Sequence, residues 1–290
     1  MRLFQNKSER YPSFYLMFIV IFLLLVQNAF AGGWTQKQGK GFYKIGTRLI
    51  NTDQFYDSDG TLTDIATFGE YTVNFYGEYG ITNRITAVLN APFKRITLNK
   101  QIGETSGFVF FGGDSKNGIS DIDAGVRFGL RQGGQTVLSA DVMFGIPVGD
   151  DAQPNGLLTG CGEFSQKLML QLGHSVYSMP LYFNTSAGVK NRSGGFSDEF
   201  HYTAEIGYSL SSHFLLILRA NGLEPFRNGD DNTTGGMGGL CLNNQRYLLY
   251  GPELIFNFND SFGISAGFES ATRAQNTLSG ALFTFGVFLK

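Results

Sequence analysis

The chain has 290 residues, a formal charge of −2, 16% charged residues, 39 Gly, 28 Phe and a mean hydropathy of −0.05. The charge excludes the basic surplus of a nucleic-acid-binding protein. Two Cys exclude a disulfide-dense scaffold and a four-Cys zinc site, and the hydropathy excludes a bundle of membrane helices. An aromatic, Gly-rich chain of low charge fits a membrane β-barrel, in which every second side chain faces lipid and the others face a polar lumen.

Residues 1–31 read as a secretory signal. Arg2, Lys7 and Arg10 form a positive start, and Tyr15 to Val26 is an apolar run of about a dozen residues, short of the ~20 of a membrane span. Asn28-Ala29-Phe30-Ala31 places small residues at the cleavage positions. Cleavage after Ala31 turns 22 basic and 24 acidic side chains into 19 and 23, a formal charge of −4. Export implies a bacterial envelope or an extracellular destination.

Residues 32–290 then read as one transmembrane β-barrel. Segments of about ten residues alternate apolar and polar side chains, the period of a strand. In Glu70 to Tyr79, Tyr71, Val73, Phe75, Gly77 and Tyr79 share one parity. Asp121 to Leu130 and Leu138 to Pro147 repeat the pattern. About twelve such segments begin near residues 42, 68, 84, 119, 136, 164, 181, 199, 214, 247, 262 and 279. Between them, long connections (51–67, 95–118, 148–163, 222–246) and intermediate ones (193–198, 272–278) alternate with short ones (80–83, 131–134, 176–180, 210–212, 259–261). Outer-membrane barrels join strands by short periplasmic turns and longer outside loops, so the fold class is an all-β, antiparallel, up-and-down barrel with both ends periplasmic.

The apolar faces carry Ile45, Leu49, Val73, Phe75, Leu89, Phe93, Phe183, Leu218, Leu254, Phe268, Phe283 and Phe285, none of them charged, and a lipid-facing Lys or Arg at mid-bilayer costs about 2–4 kcal/mol. The charges fall on the lumen parity instead. Near mid-strand these are Arg48, Arg127 and Arg219 with Asp141, Glu205, Glu253 and Glu269. Buried charges must pair or stay hydrated, so two readings stand: a structural salt-bridge network partly filling the lumen, or a polar constriction for a small solute. Cys161 and Cys241 fall in two long outside loops, where an oxidising envelope permits a bridge between them. They have no His or Cys partner at metal-ligand spacing, so no metal is expected.

No catalytic residue is assigned. His174 and Ser175 are adjacent and point to opposite faces of a strand. His201 has only the loop-edge acids Asp198 and Glu199 nearby, and no G-x-S-x-G element occurs. No cofactor is expected, because the Gly-rich run at 235–239 neither follows a strand nor opens a helix. The apolar cluster Phe108-Val109-Phe110-Phe111 sits in a long loop. It fits a lid over the mouth, a contact with lipopolysaccharide or an extension of the strands.

Four pieces carry a family resemblance: Gly33-Trp34-Thr35-Gln36 with Lys40-Gly41, Tyr76 to Arg84, Ser120 to Gly125, and Gly145 to Asp150. With the barrel layout they resemble the bacterial outer-membrane family labelled MetA-pathway of phenol degradation, over nearly the whole of residues 32–290. The resemblance implies a barrel linked to passage of small, often hydrophobic compounds and carries over no catalytic residue. The chain departs from common barrel practice by ending Phe288-Leu289-Lys290 rather than on an aromatic residue. The expected function is a passive channel or uptake protein for small, hydrophobic or aromatic molecules. The alternatives are a non-conducting barrel that binds, scaffolds or supports polymer export through its outside loops, and a membrane hydrolase. The expected partners are outer-membrane lipid and lipopolysaccharide, the barrel insertion machinery and a small-molecule solute, with no nucleic acid.

Overall fold

The computed structural model describes residues 32–102, 107–233 and 235–290; the signal segment expected over 1–31 lies outside the described residues. Twelve antiparallel strands close into a barrel. They are β1 (Gly41–Tyr56), β2 (Leu62–Thr82), β3 (Ile85–Leu98), β4 in two pieces (Asp114–Ile119 and Ile122–Arg131), β5 (Thr136–Ile146) and β6 (Ser165–Val176). There follow β7 (Leu181–Arg192), β8 (Glu199–Ser209), β9 (Phe214–Pro225), β10 (Arg246–Asn257), β11 (Phe262–Gln275) and β12 (Leu282–Leu289). Each strand pairs with its sequence neighbour, and β1 pairs with β12 from Tyr43↔Leu289 to Ile50↔Leu282, which closes the cylinder.

Closure is what lets these strands cross lipid, since it leaves no row of unpaired N–H and C=O groups. The parity expected from the sequence is the parity observed. Ile45, Leu170, Leu218 and Phe285 are each at least half exposed on the outside. Arg127, Ser139 and Glu253 on the other parity are buried. So broad an apolar exterior is the lipid-facing belt of a membrane barrel. At its periplasmic edge Phe214, Phe256, Phe258 and Phe262 form a chain of ring contacts 4.9–5.2 Å apart, with His213 stacked on Phe256.

The inner connections are short, among them residues 132–135, 177–180 and 258–261, and most outer ones are longer. Three expectations about the outer side are corrected. The long connection expected over 51–67 is only residues 57–61, because β1 and β2 stay paired past the membrane as far as Tyr56↔Leu62. Asp57 nucleates that turn: its Oδ1 accepts from the Asp59 and Thr61 N–H groups. The fourth strand starts at Asp114 rather than near 119 and breaks at Ser120-Asp121. There the Asp121 carboxylate accepts from the Gly149 and Cys161 N–H groups of the next outer loop. The last strand starts at Leu282, after a short piece Thr277–Ser279 that pairs with the outer end of β1.

A small apolar core sits at the outer end of the barrel. Phe68, Ile96 and Leu157 are fully buried there, with Leu98, Leu158 and Leu240, and Phe111 and Leu278 pack against them. The outer loops thus fold over the mouth on a core of soluble-protein type. Of the alternatives for the cluster at 108–111, Phe111 joins this dome, while Val109–Phe111 pairs with Gln101–Ile102 as a short hairpin.

Leu218 stands on the lipid parity near the middle of β9. Leu218→Arg is expected to lower barrel stability by about 2–4 kcal/mol, read as a lower denaturant midpoint for the protein folded into vesicles. Arginine at the lumen position Asn221 should shift it far less.

Candidate functional site

The lumen carries the chemistry, and its periplasmic half holds two charge clusters. In the first, β4 and β5 place Arg127 directly opposite Asp141. The guanidinium donates in parallel to the carboxylate, Nε to Oδ1 at 2.9 Å and Nη2 to Oδ2 at 3.1 Å. Its Nη1 reaches Glu78 of β2 at 3.0 Å. Glu78 also accepts from the Tyr76 hydroxyl at 2.5 Å and from Gln36 Nε2 at 2.6 Å, and the Gln171 amide donates to Asp141. In the second cluster Arg219 faces its strand partner Glu205 at 2.7 Å and reaches Glu253 of β10 at 3.1 Å. Lys44 of β1 completes it at 2.8 Å from Glu253, and Tyr182 donates to Glu205 at 2.7 Å. Because β11 and β12 lie between β10 and β1, the Lys44–Glu253 pair spans the inside of the wall rather than running along it.

Of the seven charged residues expected in a central network, the structure brings five into these clusters. It leaves two out. Arg48 makes no ion pair among the described residues, and Glu269 only accepts from Asn221 Nδ2 at 3.4 Å. Parity and strand position alone did not single out Lys44, Glu78, Tyr76, Tyr182 or Gln36 as members. The alternation marks Lys44 and Glu78 as lumenal, but which lumenal charges meet depends on the stagger between strands.

The segment before β1 is the larger omission. Residues 33–36 lie inside the periplasmic mouth. The Gly33 N–H donates to Asn184 Oδ1 at 3.2 Å and the Gln36 N–H to Thr86 Oγ1 at 2.8 Å. Arg127 Nη1 donates to the Trp34 carbonyl at 3.3 Å. The Trp34 ring meets Tyr182 edge to face, centroids 6.3 Å apart, and lies over Gly173. A Cβ at Gly173 would stand 2.5 Å from that ring, so the glycine makes room for the tryptophan. The first charge cluster is therefore also the seat of the segment that narrows the periplasmic exit.

Between and above the clusters the lumen is hollow. One cavity of about 360 Å³ lies in the inner half beside Arg127 and Arg219. A second of about 360 Å³ lies under the outer dome and is bordered by Arg48, His201 and the Cys161–Cys241 pair. Those cysteines are bonded in the structure, with Cα atoms 5.2 Å apart, and tie loop 147–164 to loop 226–245. The histidines do not assemble a hydrolase centre. His174 Nδ1 lies 2.8 Å from Thr136 Oγ1 and His201 Nε2 lies 2.8 Å from Glu199 Oε2. His213 is beside Ser212 at a periplasmic turn. No group of three His, Cys, Asp or Glu fit to hold a metal occurs among the described residues.

Outside the membrane, Asp150 anchors the loop that carries Cys161. Hydrogen bonds from Gln153 and Lys116 hold its carboxyl down to about 2, from an ordinary value of 3.8. Lys116 Nζ stands 2.7 Å from Asp150 Oδ2.

No family model and no curated protein matches the chain. Solved structures match in fold. An outer-membrane channel from Pseudomonas putida F1 aligns at 12% identity over 90% of this chain and 99% of that one, with a TM-score of 0.67. The NanC porin aligns at 9% identity over 87% and 100%, TM-score 0.53. The translocator domain of the autotransporter NalP from Neisseria meningitidis aligns at 12% over 95% and 96%, TM-score 0.52. At these identities the likeness is one of architecture: a closed barrel of the outer-membrane type.

Arg127→Ala leaves Asp141 and Glu78 buried without their cation, and about 3–5 kcal/mol of stability should go. A lower unfolding temperature in a heat-shift gel measures this, and adding Asp141→Asn should recover part of the loss. The depressed Asp150 carboxyl contributes to loop stability fully above its ordinary value and loses that contribution as pH falls through about 2. The protection factor of the Ala152 amide, taken against its intrinsic exchange rate at each pH, should therefore hold at pH 4 and fall near pH 2.

Proposed function

We propose that this protein is an outer-membrane barrel that admits small molecules by passive diffusion, with no catalytic role. Residues 1–31 direct its export, and the outer membrane, with its lipopolysaccharide, is where it resides after delivery by the barrel insertion machinery. The observation that carries the reading is a pair of lumenal cavities of about 360 Å³ each, one beside the inner segment and one under the outer dome. The inner closure, residues 33–36, is held mainly by hydrogen bonds to side chains, among them Asn184, Thr86 and Glu78. The outer closure is a loop dome. On this reading solute passes when these two yield, and the wall need not open. Two features support this reading: the fold shared with the Pseudomonas putida channel, and the residues that resemble the MetA-pathway of phenol degradation family, to which we assign the chain. Hydrophobic or aromatic compounds are the class of solute that this assignment favours.

One observation favours the second reading, a non-conducting barrel acting through its outer loops. The dome has a fully buried core and a covalent tie. Liposome swelling separates the two. Trp34→Ala with Gln36→Ala removes the ring over Gly173 and the bond to Glu78. The uptake reading expects small-solute swelling in the wild type and several-fold faster swelling in this variant. Swelling absent from both, in barrels that keep their heat-shift mobility, favours the closed scaffold.

A further inference from the structure

The cavity under the dome has two unlike sides. From β9 through β12 to β1, Leu223, Tyr247, Leu249, Leu282 and Ile50 make it apolar. From β2 through β8 it is charged, and there the charges are satisfied. Lys190 and Arg192 both hold Glu163, at 3.1 and 2.6 Å, and Arg192 also holds Glu199 at 2.6 Å. Lys94 lies 3.7 Å from Glu70.

Arg48 is the exception. It stands on β1, at the seam between the two sides and in line with Thr72 and Thr284 of the adjacent strands. Its side chain is open to the cavity and makes neither an ion pair nor a side-chain hydrogen bond among the described residues. Glu269, on β11 beyond β12, is engaged by Asn221 and makes no ion pair with it. Among the described residues, the cations Arg48, Lys94, Lys190 and Arg192 line this cavity with three carboxylates, Glu70, Glu163 and Glu199. The Tyr247 hydroxyl, on the apolar side, likewise has no hydrogen-bond partner among the described residues.

A surplus guanidinium and an unused hydroxyl beside an apolar wall fit a ligand with a single negative charge and a hydrocarbon body. Guanidinium geometry matches a carboxylate through two parallel donors. An apolar cavity of about 150 Å³ holds one benzene, so about 360 Å³ accommodates an aryl or short alkyl body together with its carboxylate. A neutral hydrocarbon would leave the cation unused, and a dianion or sugar would face the leucines.

We propose that this outer chamber recognises small monocarboxylates with an apolar body, the carboxylate on Arg48 and Tyr247 and the body on Leu223, Leu249 and Leu282. The proposal rests on the uptake reading and names its solute class. Benzoate is the test ligand and benzyl alcohol its neutral counterpart. Each is titrated calorimetrically into the detergent-solubilised full barrel as wild type, Arg48→Gln and Arg48→Lys. Charge-assisted hydrogen bonds of this kind are worth about tenfold or more in affinity. Benzoate should therefore bind the wild type at least about tenfold more tightly than benzyl alcohol. Arg48→Gln should lose about that factor, and Arg48→Lys, which keeps the charge but not the two parallel donors, should fall between the wild type and Arg48→Gln. Because Arg48 makes no ion pair or side-chain hydrogen bond among the described residues, both variants should run with wild-type heat-shift mobility. Equal binding of the two ligands, unchanged benzoate binding in Arg48→Gln, or no benzoate binding at all would overturn the proposal. Benzoate-driven swelling of proteoliposomes at mildly alkaline pH then judges the other reading. Selective binding without swelling above protein-free liposomes keeps the site and removes the uptake role.

Discussion

In hydrocarbon a backbone amide finds a partner only within the protein, and the pairing of β1 with β12 is where this chain meets that demand. Without the ladder from Tyr43↔Leu289 to Ile50↔Leu282, the cylinder would present two open edges to lipid, each unsatisfied group costing several kcal/mol. Everything else about the wall follows from closure. Once the sheet has an inside and an outside, a one-residue slip of any strand would carry its charges into lipid and its phenylalanines into the lumen. Register is therefore held strongly, and the bulged positions, such as Thr52/Gln54 and Gly129/Arg131, lie toward the strand ends.

The same geometry concentrates charge in a narrow space. Inward side chains from different strands have to satisfy one another, and they do so in two clusters of different character. Arg127 serves two carboxylates while bonding the Trp34 carbonyl, so one guanidinium supports both the wall and the segment in the exit. Arg219 and Lys44 share Glu253, drawing β9, β10 and β1 together from the inside. Both clusters are in the periplasmic half. The outer half uses another device, a compact apolar core of loop and strand-end residues with a disulfide at its side. A membrane barrel has no hydrophobic core of its own, because its apolar surface faces outward, and here a small one forms where the chain re-enters water.

Much of the fold was legible in the residues. Val73, Phe75 and Leu89 against Thr72, Asn74 and Asn90 mark strand faces without any knowledge of neighbours, because the period of two is a property of each strand alone. Arg127, Asp141, Glu205, Arg219 and Glu253 were legible as lumenal for the same reason. The extent of the outer hairpin was not. The residues from 51 to 67 read as a loop, yet the pairing of β1 with β2 holds all but the turn 57–61 in strands. Nor was the place of Trp34 legible: a tryptophan in a short polar segment has no periodicity, and its pocket comes from Gly173 and Tyr182, each well over a hundred residues away in the chain.

Composition and alternation by themselves determined that this chain makes an antiparallel barrel with an oily exterior, a charged interior and alternating short and long connections, because those properties are local to each strand. Only the tertiary structure decided which charges meet, that Arg48 and Glu269 stay outside the clusters, that residues 33–36 enter the lumen and that the outer mouth is roofed. Those outcomes depend on strand stagger around a closed cylinder, which brings together side chains that no spacing in the sequence relates.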